Sequence, residues 1–121
     1  MDIAAYGLLG VLAIGFALGT WDYFRGKRTE SKAGWLYFIG GSQPDSPIKI
    51  GMSKNDPTAG RMPELQTLSP FPLKVMYKVE VADRYQAERD VHQHLEEFRL
   101  HGEWFERDAV LHFIDYLKEP A

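Results

Sequence analysis

At 121 residues, 45% hydrophobic and 13% aromatic, the chain has material for one compact domain and little more. A formal charge of −3 excludes a broadly basic surface that would gather nucleic acid non-specifically, so any claim on DNA has to rest on individual residues. The absence of cysteine excludes disulfides, zinc–thiolate sites and cysteine nucleophiles.

Residues 3–21 (IAAYGLLGVLAIGFALGTW) carry no charged side chain. As a helix they would be about 28 Å long, close to the hydrocarbon thickness of a bilayer. Trp21, Tyr23 and Phe24 follow, then Arg25, Lys27 and Arg28, the order of an interfacial aromatic belt and positive-inside residues. The reading is a single-pass membrane anchor with the N-terminus outside and a cytoplasmic C-terminal domain. A cleaved signal peptide ending near Ala17-Leu18-Gly19 and a buried core helix are the alternatives. Residues 1–21 are thus expected to be a transmembrane anchor, 22–33 a basic juxtamembrane linker and 34–121 the folded domain.

In that domain, residues 34–40 (GWLYFIG) and 48–52 (IKIGM) read as two apolar strands. The turn-forming stretch Gly41-Ser42-Gln43-Pro44-Asp45-Ser46-Pro47 between them predicts an antiparallel hairpin with a long loop. Asp56-Pro57 offers a cap and a first-turn proline for a helix running to Leu68, interrupted by Pro63. Residues 73–82 alternate Val75, Tyr77, Val79 and Val81 with Lys74, Met76, Lys78 and Glu80, a half-buried strand. Asp83 and Gln86 form a capping-box signature for a helix bearing Tyr85, Glu88, Val91, His92, Leu95 and Phe98 at helical spacing. After His101-Gly102, a short extended piece at Glu103-Trp104-Phe105 precedes a last helix capped by Asp108.

Polar groups in apolar settings are the candidates for chemistry. Tyr37 lies mid-strand, where its hydroxyl needs a partner or a task. Lys49 sits between Ile48 and Ile50, and the hairpin would carry its ammonium toward that phenol. Arg61 suits a charged phosphoryl transition state. Glu88 and His92, at i and i+4, share one helix face, the first a hard oxygen ligand and the second a proton carrier. Each has a plainer reading. Tyr37 is otherwise a core tyrosine, Lys49 part of a solvated face, Arg61 an ordinary helix arginine, and Glu88 with His92 a surface pair.

In order, these residues resemble the GIY-YIG nuclease superfamily, and more closely its short phage-type branch with a KIG second motif and a GEWF ending. Trp35-Leu36-Tyr37 stands at the first motif, Lys49-Ile50-Gly51 at the second, and Gly102-Glu103-Trp104-Phe105 at the ending. The resemblance spans about residues 34–106. It implies an α+β fold, a small GIY-YIG-like domain with a three-stranded antiparallel sheet flanked by helices, here after one N-terminal transmembrane helix. It also implies hydrolysis of a DNA phosphodiester with a Mg2+ or Mn2+ ion held by Glu88. Tyr37 would activate or orient the attacking water, Arg61 would stabilise charge on the phosphate, Lys49 would stand in for the superfamily's second tyrosine, and His92 would assist. Joined to the anchor, the expectation is a membrane-anchored endonuclease acting on DNA near the membrane, such as incoming DNA. The alternative is a catalytically inactive adaptor of the same fold that binds nucleic acid or protein at the membrane. From residue 34 onward ten Lys and Arg face fourteen Asp and Glu, net −4, so gripping duplex DNA would need a local basic cleft.

Overall fold

The computed structural model describes residues 32–119. Strand β1 (Gly34–Gly41) is followed by β2 (Ile48–Ser53), helix α1 (Arg61–Thr67), β3 (Leu73–Val81) and helix α2 (Arg84–His94). A single 3-10 turn (Glu96–Phe98), two short strands β4 (Arg99–His101) and β5 (Trp104–Phe105), and helix α3 (Arg107–Lys118) complete the domain. The strands form one antiparallel sheet in the order β3-β1-β2-β5-β4. The most apolar strand, β1, is flanked on both sides. This satisfies its backbone groups where no water reaches them.

Side chains alternate across a strand, so β1 presents two different faces. Leu36 and Phe38 join Ile48 and Ile50 of β2 in the main core, covered by Ala87 and Val91 of α2 and by Ala109, Val110, Phe113 and Ile114 of α3. Tyr37 and Ile39 project from the opposite side and are also buried. On β3 the alternation holds for Val81, Val79 and Tyr77. A register shift at Phe38/Ile39 then admits Met76 to the core side despite its sequence parity.

Local signals explain most element ends. Asp83 caps α2 by accepting from the Gln86 backbone N at 3.1 Å. Pro63 is accommodated because it occupies the first turn of α1, where backbone N–H groups have no partner within the helix. That helix starts at Arg61 and not at Asp56-Pro57. The Asp56 carboxylate is instead occupied by Thr58 N at 2.9 Å and by Lys78 Nζ at 2.8 Å, which builds a turn in place of a first helical turn. Asp108 falls inside the first turn of α3, whose N-cap residue is Glu106.

Two expectations about architecture are corrected. The sheet has five strands and not three: β4 and β5 form a hairpin that extends it beyond β2. Strands of three and two residues are too short to show a period-two pattern, so the sequence reveals only an extended piece at Trp104-Phe105. The expectation of a single-pass membrane protein with a cytoplasmic domain is likewise withdrawn. Among the described residues no helix is long and apolar enough to cross a membrane. The longest, α3 with 12 residues, spans about 18 Å and turns its apolar side to the sheet. The segment 3–21, read as the anchor, lies outside the described residues.

Candidate functional site

Tyr37 and Gly51 face each other across the β1/β2 ladder. Only 1% of the tyrosine is exposed, and the hydroxyl end of its ring packs against the glycine. A Cβ on Gly51 would stand 2.5 Å from Tyr37 Cζ and 2.8 Å from Cε1, so no other residue lets the phenol occupy this position. The buried hydroxyl has a partner at its outer end, where Arg61 Nε donates to it at 3.4 Å. That contact raises the Arg61 pKa further above its usual value, with smaller electrostatic support from Glu64. The Arg61 side chain remains 42% exposed, with Nη1 at 3.5 Å from Glu64, and its guanidinium keeps donors for an outside anion.

Lys49 is in register with Ile39, not with Tyr37, so the expected lysine–phenol contact is replaced by another. Its ammonium donates to Glu103 Oε2 at 2.6 Å and lies 5.8 Å from the centre of the Trp104 ring. Gly102, with φ +56, makes the left-handed turn between β4 and β5 that delivers Glu103 there. The Glu103 carbonyl also accepts from Ile50 N at 3.0 Å, tying the hairpin to β2. Glu103 is the residue that sequence reasoning missed. It stood inside the GEWF stretch, but its partner is 54 positions away in the chain.

From α2, Glu88 approaches the same region. Burial pushes its carboxyl above the usual glutamate range, and the Glu103 carboxylate pushes in the same direction, whereas His92, Lys49 and Arg61 pull it down. All four groups are therefore within electrostatic reach of Glu88. With His92, Met52, Tyr85 and Arg89 it lines an open cavity of about 510 Å³, large enough for a ligand group to enter. His92 itself is committed: its Nε2 donates to the Ile50 carbonyl at 2.8 Å, and its ring centre lies 5.1 Å from that of Phe105. The β2/β5 ladder pairs only Ile48 and Lys49, so the Ile50 carbonyl lies beyond it and the histidine supplies the missing donor.

Thus Tyr37, Lys49, Arg61 and Glu88 reach one region from two strands and two helices, with Glu103 as a fifth member. Two of these groups are cations and two are carboxylates; Arg61 alone bonds the buried phenol, Lys49 pairs with Glu103, and Glu88 borders the open cavity. Among the described residues no cluster of three or more His, Cys, Asp or Glu could by itself hold a metal ion.

No curated protein and no solved structure matches the chain. A family model described as the T5orf172 domain matches residues 34–118, which is most of the chain and takes in every one of these site residues. That domain is phage-associated and found in endonuclease contexts. The chain belongs to the T5orf172 domain family.

Proposed function

We propose that the domain is a divalent-metal-dependent DNA endonuclease of the GIY-YIG type, hydrolysing a phosphodiester at the site formed by Tyr37, Lys49, Arg61 and Glu88. The observation that carries this reading is a linked set of contacts: Arg61 bonds the buried Tyr37 hydroxyl, Lys49 pairs with Glu103, and the charges of Arg61 and Lys49 act on half-buried Glu88 at the edge of an open cavity. The endonuclease context of the family supports it.

The donor chemistry fits a hard cation. Glu88 is an oxygen ligand whose pKa is raised first by burial and then by the nearby Glu103 carboxylate. Mg2+ commonly uses one or two carboxylates, completing its shell with water and substrate phosphate, so a full protein cage is unnecessary. Glu88 would hold the ion, which when bound would polarise the phosphate and acidify an attacking water. The remaining work belongs to the chain itself. Arg61 neutralises charge gathering on the non-bridging phosphate oxygens, and it already orients the Tyr37 hydroxyl. Tyr37 orients the nucleophilic water through that hydroxyl. Lys49 supplies a second fixed positive charge. His92, with Nε2 committed to Ile50, fastens α2 and hence Glu88 to β2.

The test is nicking or linearisation of supercoiled plasmid by the full-length chain with Mg2+ or Mn2+, alongside Tyr37→Phe and Glu88→Ala. Cleavage by the wild type that disappears in both variants supports the assignment. A wild type that binds DNA but cuts none, with either ion at low salt, would make the domain a binding module.

A further inference from the structure

Glu103 is engaged at both ends. Its carbonyl accepts from Ile50 N at 3.0 Å, and its carboxylate accepts from Lys49 Nζ at 2.6 Å. Trp104, the next residue, pairs with Lys49 across the β2/β5 ladder and covers the ammonium with its ring. Lys49 is consequently only 16% exposed, whereas the Glu103 side chain is 41% exposed. A free lysine sweeps a wide arc on four rotatable bonds. This one is held between a carboxylate and an indole.

A purely structural role accounts poorly for this arrangement. Ion pairs with one partner well exposed add little to stability. The same Glu103 carboxylate repels half-buried Glu88, an unfavourable term that a neutral side chain would avoid. The hairpin would also persist without the carboxylate, because its backbone bonds and the Arg99 Nη1 donation to the Gly102 carbonyl do not involve it.

We infer that Glu103 is a positioning residue for phosphodiester cleavage, an inference that rests on the nuclease reading above: it fixes Lys49 as a cation beside Glu88, ready for the charge that develops on the phosphate. Glu103 acts through Lys49 and does not itself touch the reacting atoms.

The experiment compares the full-length wild type with Glu103→Gln, Lys49→Gln, the double variant and Glu103→Asp. Single-turnover plasmid cleavage is measured with Mg2+, and DNA affinity separately without divalent ion. Glu103→Gln is expected to slow the cleavage step about 10- to 100-fold, since small misplacements of a charge at a reacting centre have effects of that size. DNA affinity stays within about threefold, a split that loss of fold would not produce. Lys49→Gln matches this loss and the double variant adds nothing further, because two residues acting as one unit are non-additive. Glu103→Asp retains the charge and falls between wild type and Glu103→Gln, which keeps the test open if the glutamine variant fails to fold. An active wild type with Glu103→Gln at the same rate, or effects at 49 and 103 that multiply independently, overturns the positioning role while leaving the nuclease reading intact. A wild type inactive with both Mg2+ and Mn2+ removes the nuclease reading and this inference with it.

Discussion

Gly51 lies opposite Tyr37 in the β1/β2 ladder, and the phenol ring fills the space where a side chain on residue 51 would stand. The close approach couples the second strand of the hairpin to the position of the tyrosine hydroxyl. Because that hydroxyl also accepts from Arg61, any group added at Gly51 moves the tyrosine, and with it the partner of the arginine.

Gly51→Ala is therefore expected to be damaging on two counts. Forcing a methyl group against a ring that is 1% exposed should cost roughly 1–3 kcal/mol. For a domain of this size that lowers the midpoint of thermal unfolding by about 4–8 °C per kcal/mol. Cleavage should fall further than the lost stability explains. A Gly51→Ala protein with wild-type melting and wild-type cleavage would contradict the packing described here.

Tyr37→Phe keeps the ring and removes only the oxygen that accepts from Arg61 Nε at 3.4 Å. Arg61 is 42% exposed and can turn to water, so the stability change should stay within about 1.5 kcal/mol. Plasmid cleavage should be lost. Arg61→Ala should lower cleavage by about 100-fold or more, as removal of a transition-state donor does. Denaturation curves measured beside the nicking assay separate the two effects.

Glu88 carries a pH signature of defined sign. Burial and Glu103 raise its carboxyl pKa in the folded protein, so ionisation is easier in the unfolded chain. The stability linked to this group is greatest at low pH and declines as pH rises through the raised value. Glu88→Gln should accordingly melt higher than wild type at neutral pH, with the advantage gone near pH 4, while cleaving no DNA. Since a metal ligand must be ionised, the apparent affinity of the wild type for Mg2+ should fall on acidification at a pH above the ordinary carboxylate range. Titration of cleavage against Mg2+ at several pH values measures this directly.

Asp56 carries the opposite sign. Bonds from Lys78 and Thr58 hold its carboxyl down, from 3.8 to about 2. Its stabilising contribution is complete above the unfolded value and is lost as pH falls through about 2. Asp56→Asn should melt below wild type at pH 7, and the two should converge near pH 2. The variant also releases Lys78, now placed over the Trp35 ring at 5.3 Å, and loosens the turn that leads into Arg61. A gap between the two proteins that persists unchanged to pH 2 would assign the effect to something other than the carboxylate charge.

Much of the local structure was legible in the chain itself. Apolar runs bounded by glycine and turn residues marked β1 and β2, strict alternation marked β3, and Asp83 with Gln86 marked the start of α2. Tyr37, Arg61 and Glu88 could be named as candidates from the chain, each with a plainer reading beside it, and the folded domain bonds Arg61 to Tyr37 and brings its charge within reach of Glu88. The helix start at Arg61 was not legible, because Asp56 can cap a helix or close a turn, and Lys78 on a distant strand selects the turn.

What the sequence determines alone is therefore the set of elements whose signals lie within a few residues, together with candidate residues for chemistry. Their partners were decided only by the tertiary structure. Strand register sets Lys49 opposite Ile39 and Tyr37 opposite Gly51, and no local pattern encodes which residue a neighbouring strand will present. The β4–β5 hairpin is too short to have a period, yet it adds two strands to the sheet and brings Glu103 to Lys49. The commitment of His92 to Ile50 likewise follows from where β5 begins, leaving a carbonyl of β2 in need of a donor. In each case the deciding interaction joins residues far apart in the chain, which only the folded sheet brings within bonding distance.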